Sequence, residues 1–432
     1  MTVLADLRGQ TFAALRGANF RRYITGQAVS LIGTWMQIVA QSWLVLELTG
    51  SGTAIGVVLA LQTVPMLLLG PYGGVVADRV DKRRLMIGLQ TMMGLQALAL
   101  GLLTVTGTVE LWHVWVLAVL LGLNQCFENP ARQSFMLEMV GPEDLRNAVS
   151  LQSVLAACSR MIGPAVAGLV IAAGGLGVCF LLNAASFVAV VASLLRLDVS
   201  RLDPSPLAER ARGQLREGLA YVRRSPDLAV PLLMMALVGC LAFEFQVVLP
   251  VVAEHVLDAG AGGYGFLTAA MGAGSVVGGL VIATWGRTGV KPLVATALAF
   301  GVAMAAAAAA PNLGFMIVAM ALVGGLSASF TATTNSSLQL AAAPTMRGRV
   351  MALWSVAFLG STAIGGPFAG WVCEEFGGRA GLLLGAVACL VAAGLGAALL
   401  VRGRSRALPP GRRGRRRRLR VAAGRPDPRS PR

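Results

Sequence analysis

Apolar residues run along the chain in long stretches, separated by short clusters of glycine, proline and charge. A helix rises about 1.5 Å per residue, so about 20 apolar residues span the hydrocarbon of a bilayer. Twelve stretches meet that length: 24–47, 53–77, 85–107, 111–138, 146–173, 175–196, 228–256, 261–285, 291–310, 313–342, 348–375 and 379–401. The fifth and sixth nearly merge, and only Gly174, Gly175 and Gly177 divide them. The first stretch is too long for the roughly 7–15-residue apolar core of a signal peptide, so it is expected to stay as a membrane helix.

The longest polar gap, 197–227, contains PLAERARGQLREGLAYVRRSP. Leu215, Leu219 and Val222 recur there at helical spacing among arginines and glutamates, which predicts an amphipathic helix lying on the membrane face. Six apolar stretches precede this gap and six follow. The halves also share sequence: an offset of 203 residues places Gly163-Pro164 on Gly366-Pro367, Arg146 on Arg349 and Ser134 on Ser337. Chance similarity between apolar helices is the alternative. The expected organisation is an N-terminal arm (1–23), a six-helix bundle (24–196), a linker (197–227), a second six-helix bundle (228–401) and a disordered arginine-rich tail (402–432). Two parallel repeats of six helices are a transporter architecture, with the substrate site between them near the midplane.

Composition narrows the classes. Of 432 residues, 56% are hydrophobic and 13% charged, with mean hydropathy +0.71. Soluble domains carry about 25% charged residues, so a water-soluble globule and a disordered chain are both excluded. The net charge of +16 is concentrated in residues 402–432, which hold 13 arginines and one aspartate. Of the 36 lysines and arginines, all but three fall at one end of the twelve spans; Arg379 lies at the other end, and Arg132 and Arg160 lie within spans. The bias of basic residues toward the cytosol then predicts a multi-pass protein of the cell (inner, cytoplasmic) membrane with both termini inside. The tail is expected to meet anionic lipid headgroups, each basic residue contributing about 1 kcal/mol there; nucleic acid is not needed to account for it. The six cysteines show no CxxC spacing, so free thiols are expected, with no metal site and no cofactor.

Enzyme chemistry finds little support. Two histidines, His113 and His255, cannot form HExxH, and Gly325-Leu-Ser327-Ala-Ser329 lacks the last glycine of a nucleophile elbow. Neither Lys82 nor Lys291 sits in GxxxxGK[ST], so the chain is not an ATP-driven pump and must use an ion gradient or the substrate gradient. A membrane-embedded enzyme remains a remote alternative.

Intramembrane charge is the stronger signal, because such residues are costly and usually face a cavity. Glu128 and Arg132 stand at i, i+4 on the fourth span and can pair. Arg160 is on the fifth span. Glu244, sixteen residues past Leu228, falls about 24 Å along the seventh. Glu244 has no sequence-local arginine and is the better candidate for a carboxyl that takes up and releases a driving proton; a structural ion pair is the alternative for Glu244 and Glu128, and snorkelling to headgroups for Arg132. Trp35, Gln37, Gln41 and Trp43 on the first span and Thr331, Thr334 and Asn335 on the tenth are expected to line the substrate cavity; the two tryptophans could instead be core or interfacial. Trp112 and Trp115 predict an aromatic belt, with His113 exposed beside them. The pairs Gly70/Gly74, Gly274/Gly278 and Gly366/Gly370 predict close helix packing.

The loop after the second span, Gly74-Val-Val-Ala-Asp78-Arg79-Val-Asp81-Lys82-Arg83, resembles the G-x-L-a-D-r-x-G-r-k signature of the major facilitator superfamily, with Asp81 in place of the second glycine. The segments NPARQ, LRNAVSLQ and RMIGPAVAGL resemble the drug-efflux branch that includes macrolide and enterobactin exporters. Gly163, Pro164 and Gly168 resemble the antiporter signature G-x-x-x-G-P-x-x-G-G, with Ser159 and Ala167 replacing two glycines. The resemblance covers about 20–400. It implies an all-α membrane protein of the major facilitator fold, twelve transmembrane helices in two six-helix bundles. By resemblance Asp78 and Arg79, supported by Arg83, lock the halves together on the cytosolic side; the basic run is otherwise a topology anchor. The implied function is secondary active, proton-coupled efflux of amphipathic organic compounds of the drug, macrolide or siderophore class by alternating access, by a monomer. Import or facilitated passage of a polar solute on the same fold is the alternative.

Overall fold

A computed structural model describes residues 13–202, 214–223, 225–285 and 288–407. Every long element among them is a helix. α1 is Ala18–Thr49, α2 Gly52–Arg79 and α3 Lys82–Val105. The next helix, Leu111–Gly174, has 64 residues and would be about 96 Å long, three bilayer cores, if it were straight. It is divided at Gly141, whose φ of 73° and ψ of 172° only glycine adopts freely, and Pro142 follows. That turn makes two spans, α4 (111–140) and α5 (142–174). α6 is Leu176–Leu195, α7 Pro226–His255, α8 Gly260–Trp285, α9 Val290–Ala308, α10 Leu313–Ala341, α11 Arg347–Phe376 and α12 Gly378–Ala407. Side-chain caps start several of them: Ser51 accepts from the Ala54 amide at 3.2 Å, Asp81 from Arg84 at 2.9 Å and Asn312 from Phe315 at 2.9 Å.

Three features differ from the expected continuous spans. α7 breaks after Ala242 and restarts at Phe245, and Glu244 sits in the break with φ −81° and ψ 38°. α11 passes through a π-helical turn at Val356–Gly360. α12 continues to Ala407, beyond the expected end at 401; the rest of the arginine-rich tail lies outside the described residues. The linker helix is Gln214–Arg223. Its Val222 is buried against Leu228, Leu338 and Val350, while Leu219 is exposed and the side chain of Leu215 lies outside the described residues.

The connections between spans define two ends. The basic end carries the 79–82, 141, 195–226, 285–290 and 341–347 connections, and the far end carries the others. At the far end one continuous apolar core joins both bundles, running from Trp43, Ile55 and Phe180 to Phe245, Tyr264 and Phe300. At the basic end the cores are separate: Tyr23, Met86, Phe135 and Leu194 belong to the first bundle, and Val222, Leu228, Leu338 and Val350 to the second.

Two seams hold the far end. In the α2–α11 seam a methyl group on Gly56 would lie 2.3 Å from the Gly366 carbonyl oxygen, and one on Gly370 2.3 Å from that of Gly52. In the α5–α8 seam a methyl on Gly265 would lie 2.6 Å from the Pro164 oxygen, and Gly168 faces Gly262. Only residues without a side chain allow backbones this close. Gly274 and Gly278 pack α8 on α10 in the same way, as expected. Gly70 does not: nothing lies within 4 Å of where its methyl would be.

Candidate functional site

Between the bundles lie two adjoining cavities, and Phe243 lines both. The first, about 280 Å³, is walled by Gln37, Gln41, Gln62, Gln96, Gln125 and Gln246 together with Glu244. Two of these amides are held by partners: Asn183 Nδ2 donates to Gln37 Oε1 at 2.6 Å, and Gln96 Nε2 donates to the Leu117 carbonyl at 2.6 Å. Such pairing offsets the cost of placing amides among apolar helices and fixes their direction.

Glu244 is 3% exposed. The break in α7 turns its carboxyl toward α11, where Thr362 is within hydrogen-bonding reach and Gly365 and Gly366 leave space for the two oxygens. Oε1 has no hydrogen-bond partner, and no lysine or arginine pairs with Glu244 among the described residues. A buried carboxylate without a cation is costly, and a proton removes that cost.

The second cavity, about 680 Å³, includes Arg160, Ser275, Thr331 and Asn335 and reaches toward the basic end at Ser153 and Ser336. Arg160 is exposed into it, with its guanidinium carbon 4.9 Å from the centroid of the Trp35 ring. Gly163 makes room for that ring, because a methyl there would lie 2.5 Å from Trp35 Cβ.

The other candidate residues fall elsewhere. Thr334 does not face the cavity: it is 0% exposed and its hydroxyl donates to the Phe330 carbonyl at 2.7 Å, because it is turned off the Thr331–Asn335 face. Trp43 is core, stacked on Tyr264 with centroids 6.3 Å apart across the far end. Arg132 and Glu128 pair at 3.2 Å, and Arg132 also donates to Asn129; neither residue lines the two cavities. Gly163 faces α1, whereas Pro164 and Gly168 lie in the α5–α8 seam. Arg79 is exposed, and Arg83 donates to the Leu194 and Leu195 carbonyls at 2.8 and 2.9 Å within its own bundle. The surroundings of Gly74 and the side chain of Asp78 lie outside what the structure describes. Trp112 and Trp115 are exposed; His113 instead caps its helix, its Nδ1 accepting from the Glu110 amide at 3.1 Å. All six cysteines are free.

Sequence reasoning missed Gln62, Gln96, Gln125 and Gln246, although an uncharged amide inside an apolar run is itself a signal, since it must find a partner. It also missed the buried Lys82–Glu138 ion pair, at 2.5 Å, which ties α3 to α4 at the basic end.

Comparison with known proteins places this arrangement. Residues 9–410 match the family described as transmembrane secretion effector. The chain is 30% identical to the uncharacterized MFS-type transporter YfiS of Bacillus subtilis, over 49% of this chain and 50% of that protein. It is 24% identical to macrolide efflux protein A of Streptococcus pyogenes over 76% of this chain and 82% of that one. It is 26% identical to the enterobactin exporter EntS of Shigella flexneri over 84% and 85%. The crystal structure of the nucleoside transporter NupG superposes with a TM-score of 0.71 at 12% identity, covering 89% of this chain and 99% of NupG, which establishes the fold. The twelve spans in two bundles, the glycine seams and the cavities between them accord with these matches, and the chain belongs to the transmembrane secretion effector family of major facilitator transporters.

Proposed function

We propose that this protein exports amphipathic organic compounds across the cell membrane, driven by protons, with both termini and the basic end in the cytosol. The observation that carries the reading is a polar cavity between two bundles, sealed at the far end, with one unpaired carboxyl, Glu244, in its wall. Relatives that export a macrolide or enterobactin support the direction of transport and the cargo class. The distribution of lysine and arginine supports the orientation.

In this reading the state described is open to the cytosol. Cargo enters from that side, and the bundles 24–196 and 228–401 rock about the two seams. Opening outward separates the far-end glycine contacts, and Asp78 and Arg79, with Arg83, close the cytosolic side. A proton taken up from outside neutralises Glu244, and its release inside completes the cycle. Residues beyond 401 rest on anionic headgroups. The protein works as a monomer, because each copy contains both bundles and a complete cavity.

The test is accumulation of fluorescent dyes and antibiotics in cells expressing the wild type or Glu244→Gln, with and without a protonophore. The wild type should lower accumulation, and both the protonophore and the substitution should abolish that effect. Export that survives collapse of the proton gradient would overturn proton coupling. Accumulation raised by the protein would make it an importer.

A further inference from the structure

The second cavity holds a charge of one sign. Arg160 is exposed into it, none of the residues lining it is acidic, and among the described residues no carboxylate is within ion-pair distance of Arg160. Every other arginine and lysine with a described side chain stands at an end of the bundles, apart from Arg132, which is already paired with Glu128. Glu244 does not neutralise Arg160, because it lines the adjoining cavity across Phe243. A cation at this depth is costly unless something brings a counter-charge.

The surroundings suit a ligand that would bring one. One face of the guanidinium lies against Trp35, which holds the side chain while leaving the donor-bearing edge free. That edge can offer two parallel N–H donors to a planar anionic group. Ser275, Thr331 and Asn335 add neutral polar contacts, and Phe245, Met271 and Phe358 supply an apolar wall. A volume of about 680 Å³ is that of a pocket for a small organic molecule, on the order of 300–1,000 Å³.

We propose that this cavity is an anion subsite, and that the exported compounds are amphipathic organic acids whose carboxylate or phenolate pairs with Arg160. This rests on the export reading and narrows it by fixing the sign of the cargo's charge. The amides of the first cavity take the neutral oxygens and nitrogens of the same molecule. Trp35 is a positioning residue for Arg160, and Gly163 positions Trp35.

Binding to the purified full-length protein tests it, read by fluorescence anisotropy with two dyes on one xanthene frame: carboxyfluorescein, an anion, and a rhodamine ester, a cation. The wild type should bind carboxyfluorescein at least about tenfold tighter. Arg160→Gln should weaken that binding roughly tenfold or more and leave the rhodamine ester within about twofold, and Arg160→Lys should recover part of it. Asn335→Asp keeps Arg160 and places an acid in the same cavity; it should weaken carboxyfluorescein as strongly, which keeps the proposal testable if Arg160→Gln does not fold. Tighter binding of the rhodamine ester by the wild type, or carboxyfluorescein binding unchanged in Arg160→Gln or Asn335→Asp, would overturn the subsite. Transport in proteoliposomes separates the two readings. Carboxyfluorescein that binds through Arg160 but is not moved supports the subsite and overturns export. A rhodamine ester that is pumped while carboxyfluorescein fails to bind overturns the subsite and leaves export standing.

Discussion

At the far end the two bundles meet backbone against backbone, whereas at the basic end the bonds among the described residues stay within one bundle or join the linker helix to the second. The far-end contacts are Gly56 on Gly366, Gly370 on Gly52 and Gly265 on Pro164, with a small polar clasp in which Ser51 and Thr53 donate to Glu374 at 2.9 and 2.6 Å. The basic-end contacts are the Lys82–Glu138 pair, the Arg83 bonds to Leu194 and Leu195, and the Tyr221 hydroxyl accepting from the Ala343 amide. All of these stay within one bundle or join the linker helix to the second. Buried ion pairs and directed hydrogen bonds are costly to leave unsatisfied, so they stiffen what they join. Dispersion contacts between glycine backbones are individually weak and leave no orphaned polar group when they part. The Ser51 and Thr53 clasp on Glu374 is exposed, so water replaces its bonds when it parts; the buried ion pair thus lies inside a bundle, and the separable contacts lie between the bundles.

That contrast can be broken from either side. The largest effect is expected inside a bundle. Glu138→Leu leaves Lys82 buried without its partner and should cost about 3–5 kcal/mol, read as a fall of several degrees in thermal unfolding in detergent; adding Lys82→Met should restore most of it. The next is at the seam. Gly366→Val drives a side chain into the Gly56 backbone and should disfavour closure of the far end by about 1–3 kcal/mol, lowering transport roughly ten- to hundredfold with little change in unfolding temperature. Glu374→Gln keeps the shape of the clasp but loses the charged acceptor. It should favour far-end opening by about 1 kcal/mol, roughly fivefold, measured as faster labelling of a cysteine at that end. The smallest effect is the control: nothing lies within 4 Å of a methyl on Gly88, so Gly88→Ala should leave transport within about twofold and raise stability by up to about 1 kcal/mol.

The number of spans was legible because each must carry about 20 apolar residues, and the turn between α4 and α5 was marked by Gly141-Pro142 even though the helix is otherwise continuous. The break at Glu244 was not legible, since neither Phe243 nor Glu244 is a helix breaker and the break is set by packing against α11. The site was legible by charge and less so by face. Arg160, Glu244, Gln37 and Gln41 stand in cavity walls because a polar group in an apolar run needs somewhere polar to go. Thr334 turned inward because a threonine hydroxyl can satisfy itself on the carbonyl four residues back, which frees it from facing a cavity at all. Gly70 and Gly274 look alike in sequence, yet only Gly274 meets a neighbouring backbone, since which face of a helix is partnered depends on the fold.

The central claim is that the bundles move as rigid units about the far-end seams, and paired spin labels, one on each bundle, test it most directly. One pair, Leu48 at the end of α1 beside α2 and Glu375 on α11, reports the far end; the other, Arg79 on α2 and Gly348 on α11, reports the basic end. In proteoliposomes the far-end pair should give a short, narrow distance and the basic-end pair a long one, and a proton gradient with cargo should lengthen the first while shortening the second. Distances at both ends that rise together, or that stay fixed while cargo is transported, would contradict the account.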